Sequence, residues 1–437
     1  MEEYTETNLR FQGPTLETVN MNTRVGGCVR ALVSGGWGFT TFNNLDDLEQ
    51  KVDMAIRQAK LVGEVGGNSI LAPVPVVEDE VRPKLLEDPS KVDLASKVDL
   101  FQGYNEIVLG HGGTIVSSSI NYFDRHGKVP FANSEGTYIL QHKTDLAGSV
   151  FAMAGDGETT QTSRVTFGSS NDFGVCRNLD DDVRKACTKA TELLAAPPVK
   201  GGEYTVVIDP TLAGIFAHEA FGHLSESDFL YENPNLQKVM QLGTKFGEDF
   251  LTIYDTGLDE GARGYLMYDD EGVATERTDL IREGVLVGRL HTRETAAKLG
   301  EKPTGNARAI NYNYAPICRM RNTCIAPGEA SFEDMLSGLK EGIYVKGSFG
   351  GETNGEMFTF SAAEAYMIRN GQLAELVRDV NLTGNVFTTL ANIEMVGKDF
   401  QAHESAGGCG KGNQAPLPTS EWAPHVRIRN VVIGGCK

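Results

Sequence analysis

The stretch from Asp209 to His223 constrains the fold of this chain more than any other. It follows a β-like run from Tyr204 to Ile208 and reads Asp-Pro-Thr-Leu-Ala-Gly-Ile-Phe-Ala-His-Glu-Ala-Phe-Gly-His. Asp209 can cap a helix, and Pro210 suits the first helical position because no backbone N–H is needed there. The pattern therefore predicts a strand leading directly into a helix that carries His-Glu-x-x-x-His.

This helix would bring two imidazoles and a carboxylate close together, which is typical of zinc hydrolases. His218 and His223 would hold the metal, and Glu219 would handle protons. Residues five apart on an α-helix are rotated by about 140° from each other. The histidines can therefore share a metal only if the turn widens by one residue, as in a π-bulge, and Gly222 would ease that distortion. The alternative is an amphipathic core helix with two incidental polar residues.

A third ligand is needed, because catalytic zinc usually takes three protein ligands and leaves one position open. The best candidate is Cys409, in the glycine-rich loop 407–414, which could carry a thiolate close to a buried ion. His403 and Glu404 are nearby rivals. The loop lacks the residues of a phosphate-binding P-loop, since position 405 is serine and Gly412 replaces the required Ser or Thr.

Several blocks, taken in order, make the sequence resemble the TldD/PmbA metalloproteases over most of its length. The match is to the active, TldD-like branch of that family. The blocks lie at residues 24–30, 35–39, 218–223, 303–308, 319–323, 342–345, 384–385, 396–400 and 407–414. The series is far more specific than any one block.

The resemblance implies a ligand set and an assembly. His218, His223 and Cys409 would bind one zinc ion per catalytic subunit, with Glu219 as the catalytic residue. Family members resemble one another in pairing with a related, PmbA-like subunit that lacks the metal motif. The site is then enclosed and admits only unfolded or short, flexible polypeptides. A hetero-oligomer is therefore expected, and a homodimer stays open.

Composition narrows the possible partners and the compartment. A net charge of −19 over 437 residues argues against nucleic acid or an anionic membrane as the main partner. The N-terminus does not read as a signal peptide, and no apolar stretch approaches the roughly 20 residues needed to span a bilayer. Seven cysteines without paired spacing do not indicate a disulfide framework. We expect a cytoplasmic protein with reduced thiols.

The coarse pattern predicts an α+β protein with two domains. Residues 1–197 would form a mixed α/β sheet domain, and Pro197-Pro198 marks the boundary. Helices are predicted at 46–61, 91–109 and 179–196. Strands are predicted at 1–40, 114–124, 136–154 and 157–168, with Gly127 and Pro130 between two of them.

Residues 198–437 would form a β-rich domain that carries the metal-binding helix. Residues 263–400 read mostly as short strands, helical pattern returns at 331–341 and 387–395, and 426–433 alternates as a strand. Ser225, Glu226 and Asp228 could orient the histidines, or could belong to a solvated helix end.

The hypothesis for function is a zinc-dependent metalloprotease that hydrolyses peptide bonds in unfolded or short flexible polypeptides. The same ligands would also suit a non-proteolytic zinc amidohydrolase. A third reading is an inactive structural subunit of a TldD/PmbA-type complex.

Overall fold

The N-terminal half is built on a seven-stranded sheet with helices against it. The computed structural model describes residues 1–231, 233–404 and 406–434, with the backbone alone at Asn354. The strands are β1 (Glu2–Gln12), β2 (Thr15–Val33), β3 (Gly36–Phe42), β4 (Glu78–Val81), β5 (Ile115–Ala132), β6 (Tyr138–Gly155) and β7 (Thr160–Ser169). The helices are α1 (Leu48–Glu64), α2 (Leu94–Gly110) and α3 (Asp180–Ala195). The strand order is β3-β2-β1-β5-β6-β4, and β7 also pairs with β6.

The three predicted N-terminal helices are confirmed, but the break predicted at Gly127 and Pro130 is wrong. Strand β5 runs through both residues. Gly127 is needed because a Cβ there would lie 2.0 Å from the Glu3 carbonyl oxygen on β1. Pro130 is tolerated because β5 extends past the end of its pairing with β1, so its missing N–H breaks no ladder bond on that side.

The C-terminal half contains a ring of paired strands and a smaller sheet. The larger sheet has β8 (Gly202–Ile208), β15 (Glu341–Asn354), β16 (Met357–Arg369), β17 (Gln372–Val377), β18 (Asn381–Asn385), β19 (Ile393–Val396) and β23 (Val426–Gly434). The order is β15-β8-β23-β18-β16-β17, and β15 also pairs with β16, which closes five of these strands into a ring.

The strands of the smaller sheet are β9 (Ile253–Thr256), β10 (Thr278–Arg282), β11 (Val285–Leu286), β14 (Asn322–Ile325) and β22 (Ser420–Trp422). Their order is β11-β10-β9-β14-β22, and two strand pairs complete the half. The pairs are β12 (Ala307–Arg308) with β13 (Ile317–Cys318), and β20 (Cys409–Lys411) with β21 (Gln414–Leu417). The helices are α4 (Pro210–Ala217), α5 (Ser227–Tyr231), α6 (Pro234–Val239), α7 (Arg293–Leu299), α8 (Phe332–Leu336) and α9 (Val386–Ala391).

The α+β class and the strand-rich C-terminal half that carries the motif helix are confirmed. The prediction of helix over 387–395 holds only to Ala391, because Ile393–Val396 forms strand β19 against β23. The division of the chain at residues 197 and 198 stays a prediction. None of the helices in the described ranges combines the length and apolar character that crossing a bilayer requires.

The N-terminal core contains a buried ion pair between helix α2 and the sheet. Lys97 Nζ lies 2.6 Å from Asp124 Oδ2, and both side chains are almost fully buried. The Tyr122 hydroxyl donates a 2.7 Å hydrogen bond to the same carboxylate oxygen. Removing one charge would leave the other buried and unpaired, which costs far more than losing an exposed pair.

Asp124→Ala should therefore lower the free energy of unfolding by about 3–5 kcal/mol, measured by urea unfolding followed by circular dichroism. Asp182→Ala is the matched control, because Asp182 forms an exposed pair with Lys185, and it should cost only about 0–1 kcal/mol. The double variant Lys97→Met/Asp124→Leu should recover most of the loss. Equal effects of the two single substitutions would contradict this account.

Candidate metal centre

The first half of the site is set by the way strand β8 becomes helix α4. The Asp209 side chain accepts hydrogen bonds from the Leu212 and Gly347 N–H groups, each at 2.9 Å. Pro210 occupies the first turn. The predicted cap is confirmed, and the additional bond to Gly347 ties the helix start to strand β15. Leu212 and Phe216 then bury the helix in the main C-terminal core.

The helix widens at the predicted position. Residues His218–Gly222 form a π-helical turn, in which the His223 N–H donates to the His218 carbonyl oxygen five residues back. The extra residue turns both imidazoles to the same side, with ring centroids 5.2 Å apart and planes nearly perpendicular. The sequence-based prediction of a π-bulge is confirmed.

Gly222 has a different role from the one expected. Its backbone is ordinary right-handed helix, with φ −57° and ψ −50°, so no special flexibility is used. A Cβ at this position would lie 2.0 Å from the Met320 sulfur atom. Glycine is therefore required because the widened turn packs directly against Met320.

Cys409 is brought to the histidines from the far end of the chain. The candidate ligand atoms of His218, His223 and Cys409 all lie within 4.8 Å of one another. Cys409 Sγ is 3.5 Å from His223 Nε2. His218 and Cys409 are buried, and His223 is partly exposed. Two imidazoles and a thiolate are donors that suit zinc, so the residues fit the ion that the motif implies.

Neither rival ligand joins this group. Glu404 accepts hydrogen bonds from the Ser420 hydroxyl, the Trp422 indole and the Arg263 backbone N–H. The Glu404 carboxylate therefore holds strand β22, which contains Ser420 and Trp422, in place. His403 is outside the metal-competent cluster found among the described residues.

A charged network behind His223 fixes the orientation of its ring. His223 Nδ1 lies 3.0 Å from Glu226 Oε2, which leaves Nε2 facing Cys409. Lys411 Nζ lies 3.1 Å from Glu226 and 2.5 Å from Asp228. Lys411 is two residues after Cys409 on strand β20, so the same hairpin supplies the candidate thiolate ligand and a cation of this network.

Of the residues considered from sequence for this supporting role, two contribute to the network. Glu226 contacts the histidine directly, and Asp228 is linked to it through Lys411 and then Glu226. Ser225 instead donates to the Phe221 carbonyl oxygen within the helix end.

Glu421 completes the surroundings of His218 and was not identified from the sequence. Its Oε1 lies 3.4 Å from His218 Nδ1, and its Oε2 is buried without a hydrogen-bond partner in the described structure. Strand β22 carries it next to helix α4, where a Cβ on Gly214 would lie 2.8 Å from the Glu421 backbone. No local pattern links two residues 203 positions apart.

Two buried arginines support the cysteine hairpin and the residue that follows it, and a third pairs with an aspartate. Arg319 donates to the carbonyl oxygens of Cys409 and Gln414, at 2.7 and 3.1 Å. Arg308 donates to the Pro418 carbonyl oxygen at 2.8 Å. Arg321 forms a fully buried ion pair with Asp255 at 2.8 Å. Of these three arginines, only Arg321 forms an ion pair among the described residues.

The electrostatics favour a thiolate. Burial opposes ionisation of Cys409, but the neighbouring His218 and His223 lower the pKa of its thiol to about 5. Burial likewise opposes protonation of the imidazoles, yet the Cys409 thiolate raises the pKa of His218 to about 9. Glu226 and the same thiolate raise the pKa of His223 to about 11. The thiolate and the two imidazoles thus stabilise one another's charged forms.

Glu219 lies at the edge of this cluster. Its Oε2 is 3.8 Å from His223 Nε2, and its side chain is 24% exposed. Burial raises the pKa of this carboxyl, while the two imidazoles lower it. The group is thus close to the three candidate ligands and accessible to water.

This fold is that of a metallopeptidase family. The PmbA/TldA metallopeptidase models match residues 1–60 for domain 1, 87–196 for the central domain and 201–435 for the C-terminal domain. The chain belongs to this PmbA/TldD family, which confirms the resemblance read from the motifs.

The matches to sequence relatives cover nearly the whole chain. A protein named metalloprotease from Synechocystis sp. is 48% identical over 436 residues, covering 100% of this chain and 94% of its own. A zinc metalloprotease TldD homolog from Saccharolobus solfataricus is 30% identical over 413 residues, covering 94% and 90%.

Two solved structures show the same fold. TldE from Thermococcus kodakarensis has a TM-score of 0.76 at 18% identity, covering 99% of this chain and 95% of its own. A Thermotoga maritima protein described as a putative modulator of a DNA gyrase has a TM-score of 0.80 at 21% identity, covering 99% and 94%.

The close packing of Gly222 gives a test of the widened turn. Gly222→Ala should destabilise the protein by about 1–3 kcal/mol, because the added methyl group meets Met320 in a packed core. The measurement is the urea midpoint, with metal content determined in parallel.

Gly103→Ala is the control for that substitution. Gly103 lies in helix α2 with nothing within 4 Å of its Cβ position. This change should stabilise the protein by about 0.5–1 kcal/mol, since alanine favours the helix interior. A neutral Gly222→Ala with unchanged metal content would mean that the turn can shift away from Met320.

Proposed function

We propose that this chain is the catalytic subunit of a zinc-dependent metallopeptidase that hydrolyses peptide bonds in unfolded or short flexible polypeptides. The observation that carries the proposal is the approach of His218, His223 and Cys409 to within 4.8 Å beside the Glu219 carboxylate. Membership of a metallopeptidase family supports the reaction class, and the name of the Saccharolobus relative supports zinc.

His218, His223 and Cys409 would hold one zinc ion per subunit. When bound, the ion supplies Lewis-acid chemistry, which polarises a carbonyl group and makes water more acidic. Glu226 keeps the His223 ring oriented through Nδ1, so that Nε2 faces the site. Arg319 holds the Cys409 backbone from behind, which fixes the direction of the thiolate.

Glu219 would act as the general base and then as the general acid. Its carboxylate accepts a proton from water in the cluster and returns it to the leaving amine. A pKa raised by burial suits this exchange, because a base with a pKa nearer neutrality both accepts and releases a proton readily. Partial exposure of the side chain leaves room for substrate and water.

Glu219→Gln tests this role. The variant should keep one zinc per chain but lose about 10²–10⁴-fold in kcat, because the amide cannot accept the proton. Turnover is measured on a denatured protein and on a quenched fluorescent peptide, and zinc by mass spectrometry. Glu203→Gln, an exposed change on strand β8, is the control. Normal cleavage by Glu219→Gln would remove Glu219 from the mechanism.

His218→Ala tests the ligand set. Zinc at about 100 times its Kd should stabilise the chelator-treated parent protein by about 2.7 kcal/mol, seen as a rise in Tm. The variant should show no such rise and should retain no zinc after gel filtration. His111→Ala, at the exposed end of helix α2, should behave like the parent. Tight zinc binding by His218→Ala would require a different set of ligands.

The same preparations separate the alternative functions. A zinc-loaded protein that cleaves small amides but no polypeptide is the amidohydrolase. A protein that neither binds zinc nor turns over any substrate is the inactive subunit. The proposed function requires zinc together with cleavage of unfolded polypeptide.

We further propose that the chain assembles with a related subunit that lacks the metal motif, or else forms a homodimer. The fold shared with Thermococcus TldE supports a TldD/TldE-type pair. Size-exclusion chromatography of the chain alone and with such a relative distinguishes the two assemblies. We also propose a cytoplasmic location, which is supported by the free state of all six cysteines in the described part of the chain.

A further inference from the structure

The two histidines of the motif differ in what supports their Nδ1 atoms. His223 Nδ1 lies 3.0 Å from Glu226 Oε2, within hydrogen-bond distance. His218 Nδ1 is buried and has no hydrogen-bond partner among the described residues. Buried polar atoms in native proteins are nearly always hydrogen-bonded, so an orphaned ring nitrogen requires an explanation.

Glu421 on strand β22 adjoins this orphaned nitrogen. Its Oε1 lies 3.4 Å from His218 Nδ1, and the two side chains are only 6% and 4% exposed. Oε1 also accepts a 2.9 Å hydrogen bond from the Thr419 hydroxyl, whereas Oε2 is buried without a partner in the described part of the chain. An unsatisfied ring nitrogen therefore adjoins a carboxylate that has an unsatisfied oxygen.

The backbone of Glu421 is held firmly in this position. Strand β22 runs parallel to β14, with Glu421 opposite Thr323. The Glu421 N–H donates to the His403 carbonyl oxygen at 3.3 Å, and Gly214 of helix α4 packs against the Glu421 backbone. A rotation of the carboxylate, without movement of the strand, is therefore enough to bring one of its oxygens into hydrogen-bond distance of His218 Nδ1.

An acceptor at Nδ1 determines which ring nitrogen of His218 can bind an ion. A neutral imidazole has one N–H group and one nitrogen lone pair. If Nδ1 donates its proton to Glu421, the lone pair is on Nε2. His223 has the same arrangement, because its Nδ1 faces Glu226 and its Nε2 lies 3.5 Å from Cys409 Sγ. Both histidines would then present Nε2 to the site.

We propose that Glu421 is a positioning residue, which accepts a hydrogen bond from His218 Nδ1 and thereby directs Nε2 toward the ion. This role rests on the ligand set of the proposed function. Glu421 acts through His218 and is not itself a ligand, because the metal-competent cluster found in the described ranges consists of His218, His223 and Cys409. Carboxylates that support metal-bound histidines in this way strengthen metal binding.

The test is the zinc affinity of the full chain, measured by competition with a chromophoric chelator, which does not depend on turnover. Glu421→Met keeps the length of the side chain but removes the acceptor, so zinc should bind about 10–100-fold more weakly. Glu421→Gln keeps an acceptor oxygen and should lose less. Unchanged affinity in Glu421→Met would overturn the proposal, and so would a loss in Glu421→Gln as large as that in Glu421→Met.

Glu364→Gln is the matched control. The Glu364 side chain is 16% exposed, pairs with Lys346 at 2.7 Å and accepts a hydrogen bond from the Tyr366 hydroxyl. The substitution neutralises a mostly buried carboxylate outside the candidate metal cluster, so zinc affinity should stay at the parent value. A loss equal to that of Glu421→Met would assign the effect to general destabilisation and contradict the proposal.

Thr419→Val provides a second variant should the Glu421 substitutions misfold, which circular dichroism detects. Valine has nearly the same shape as threonine but lacks the hydroxyl that holds Glu421 Oε1. Zinc affinity should fall by a smaller factor than in Glu421→Met, because the carboxylate remains but is less well oriented. Unchanged affinity in a folded Thr419→Val would count against orientation through Glu421.

Cobalt in place of zinc separates a positioning residue from a ligand. At saturating cobalt, Glu421→Met should show the same thiolate-to-metal charge-transfer band and the same visible spectrum as the parent, because all three ligands remain. Only the cobalt concentration needed to reach that spectrum should rise. An altered spectrum at saturation would make Glu421 a ligand and overturn its assignment as a positioning residue.

Failure of this inference is distinguishable from failure of the proposed function. Weaker zinc binding by Glu421→Met, in a protein that cleaves no polypeptide, would keep the positioning role and remove the peptidase function. Unchanged zinc affinity in Glu421→Met, in a protein whose Glu219→Gln variant loses turnover, would do the reverse.

Discussion

The site depends on one backbone hydrogen bond, from the His223 N–H to the His218 carbonyl oxygen five residues earlier. In a regular α-helix that N–H would bond four residues back, and the two imidazoles would diverge by about 140°. The widened turn departs from regular α-helical geometry, but it turns both imidazole rings toward one point. Packing stabilises the distortion, because Gly222 lets the turn contact Met320 and Ala220 and Phe221 lie in the core. The metal-binding geometry is thus a consequence of how the helix is packed.

The second half of the site depends on charges buried far from water. Arg319, which is fully buried, satisfies backbone carbonyl groups of the hairpin that carries Cys409. Lys411, from the same hairpin, meets Glu226 and Asp228 after the end of the motif helix. Isolated buried charges are costly, so these groups stabilise the structure only when the hairpin and helix are both in place. Formation of the cluster is therefore coupled to folding of the whole C-terminal half.

The sequence predicted best what depends on short-range chemistry. The Asp209 cap, the Pro210 start and the π-bulge all follow from residues within one helix, and each is present. Cys409 was the best candidate for the third ligand because of its glycine-rich loop, with His403 and Glu404 as rivals, and the family resemblance implied it as the ligand. No local rule links positions 223 and 409. The contacts of Glu421 and Lys411 could not be predicted, since each depends on which strand lies beside which. The same limit explains the error at Gly127 and Pro130. At Gly127 the close contact with strand β1, and at Pro130 the end of the pairing between β5 and β1, override the usual preference of these residues for turns.

Arg263 shows why the N-terminal half matters to a site made of C-terminal residues. Its guanidinium holds Asp145 of strand β6 through two hydrogen bonds, at 2.7 and 2.9 Å, and donates to the Gly407 carbonyl oxygen at 2.6 Å. Gly407 is two residues before Cys409, so the N-terminal sheet is linked to the thiolate loop through one side chain. Arg263 also lines a cavity of about 1050 Å³ between the N-terminal sheet and loops of the C-terminal half, and Leu417, which pairs with Cys409, lines it as well. The cavity and the candidate metal centre therefore share a wall, so a movement of that wall would change the geometry of both.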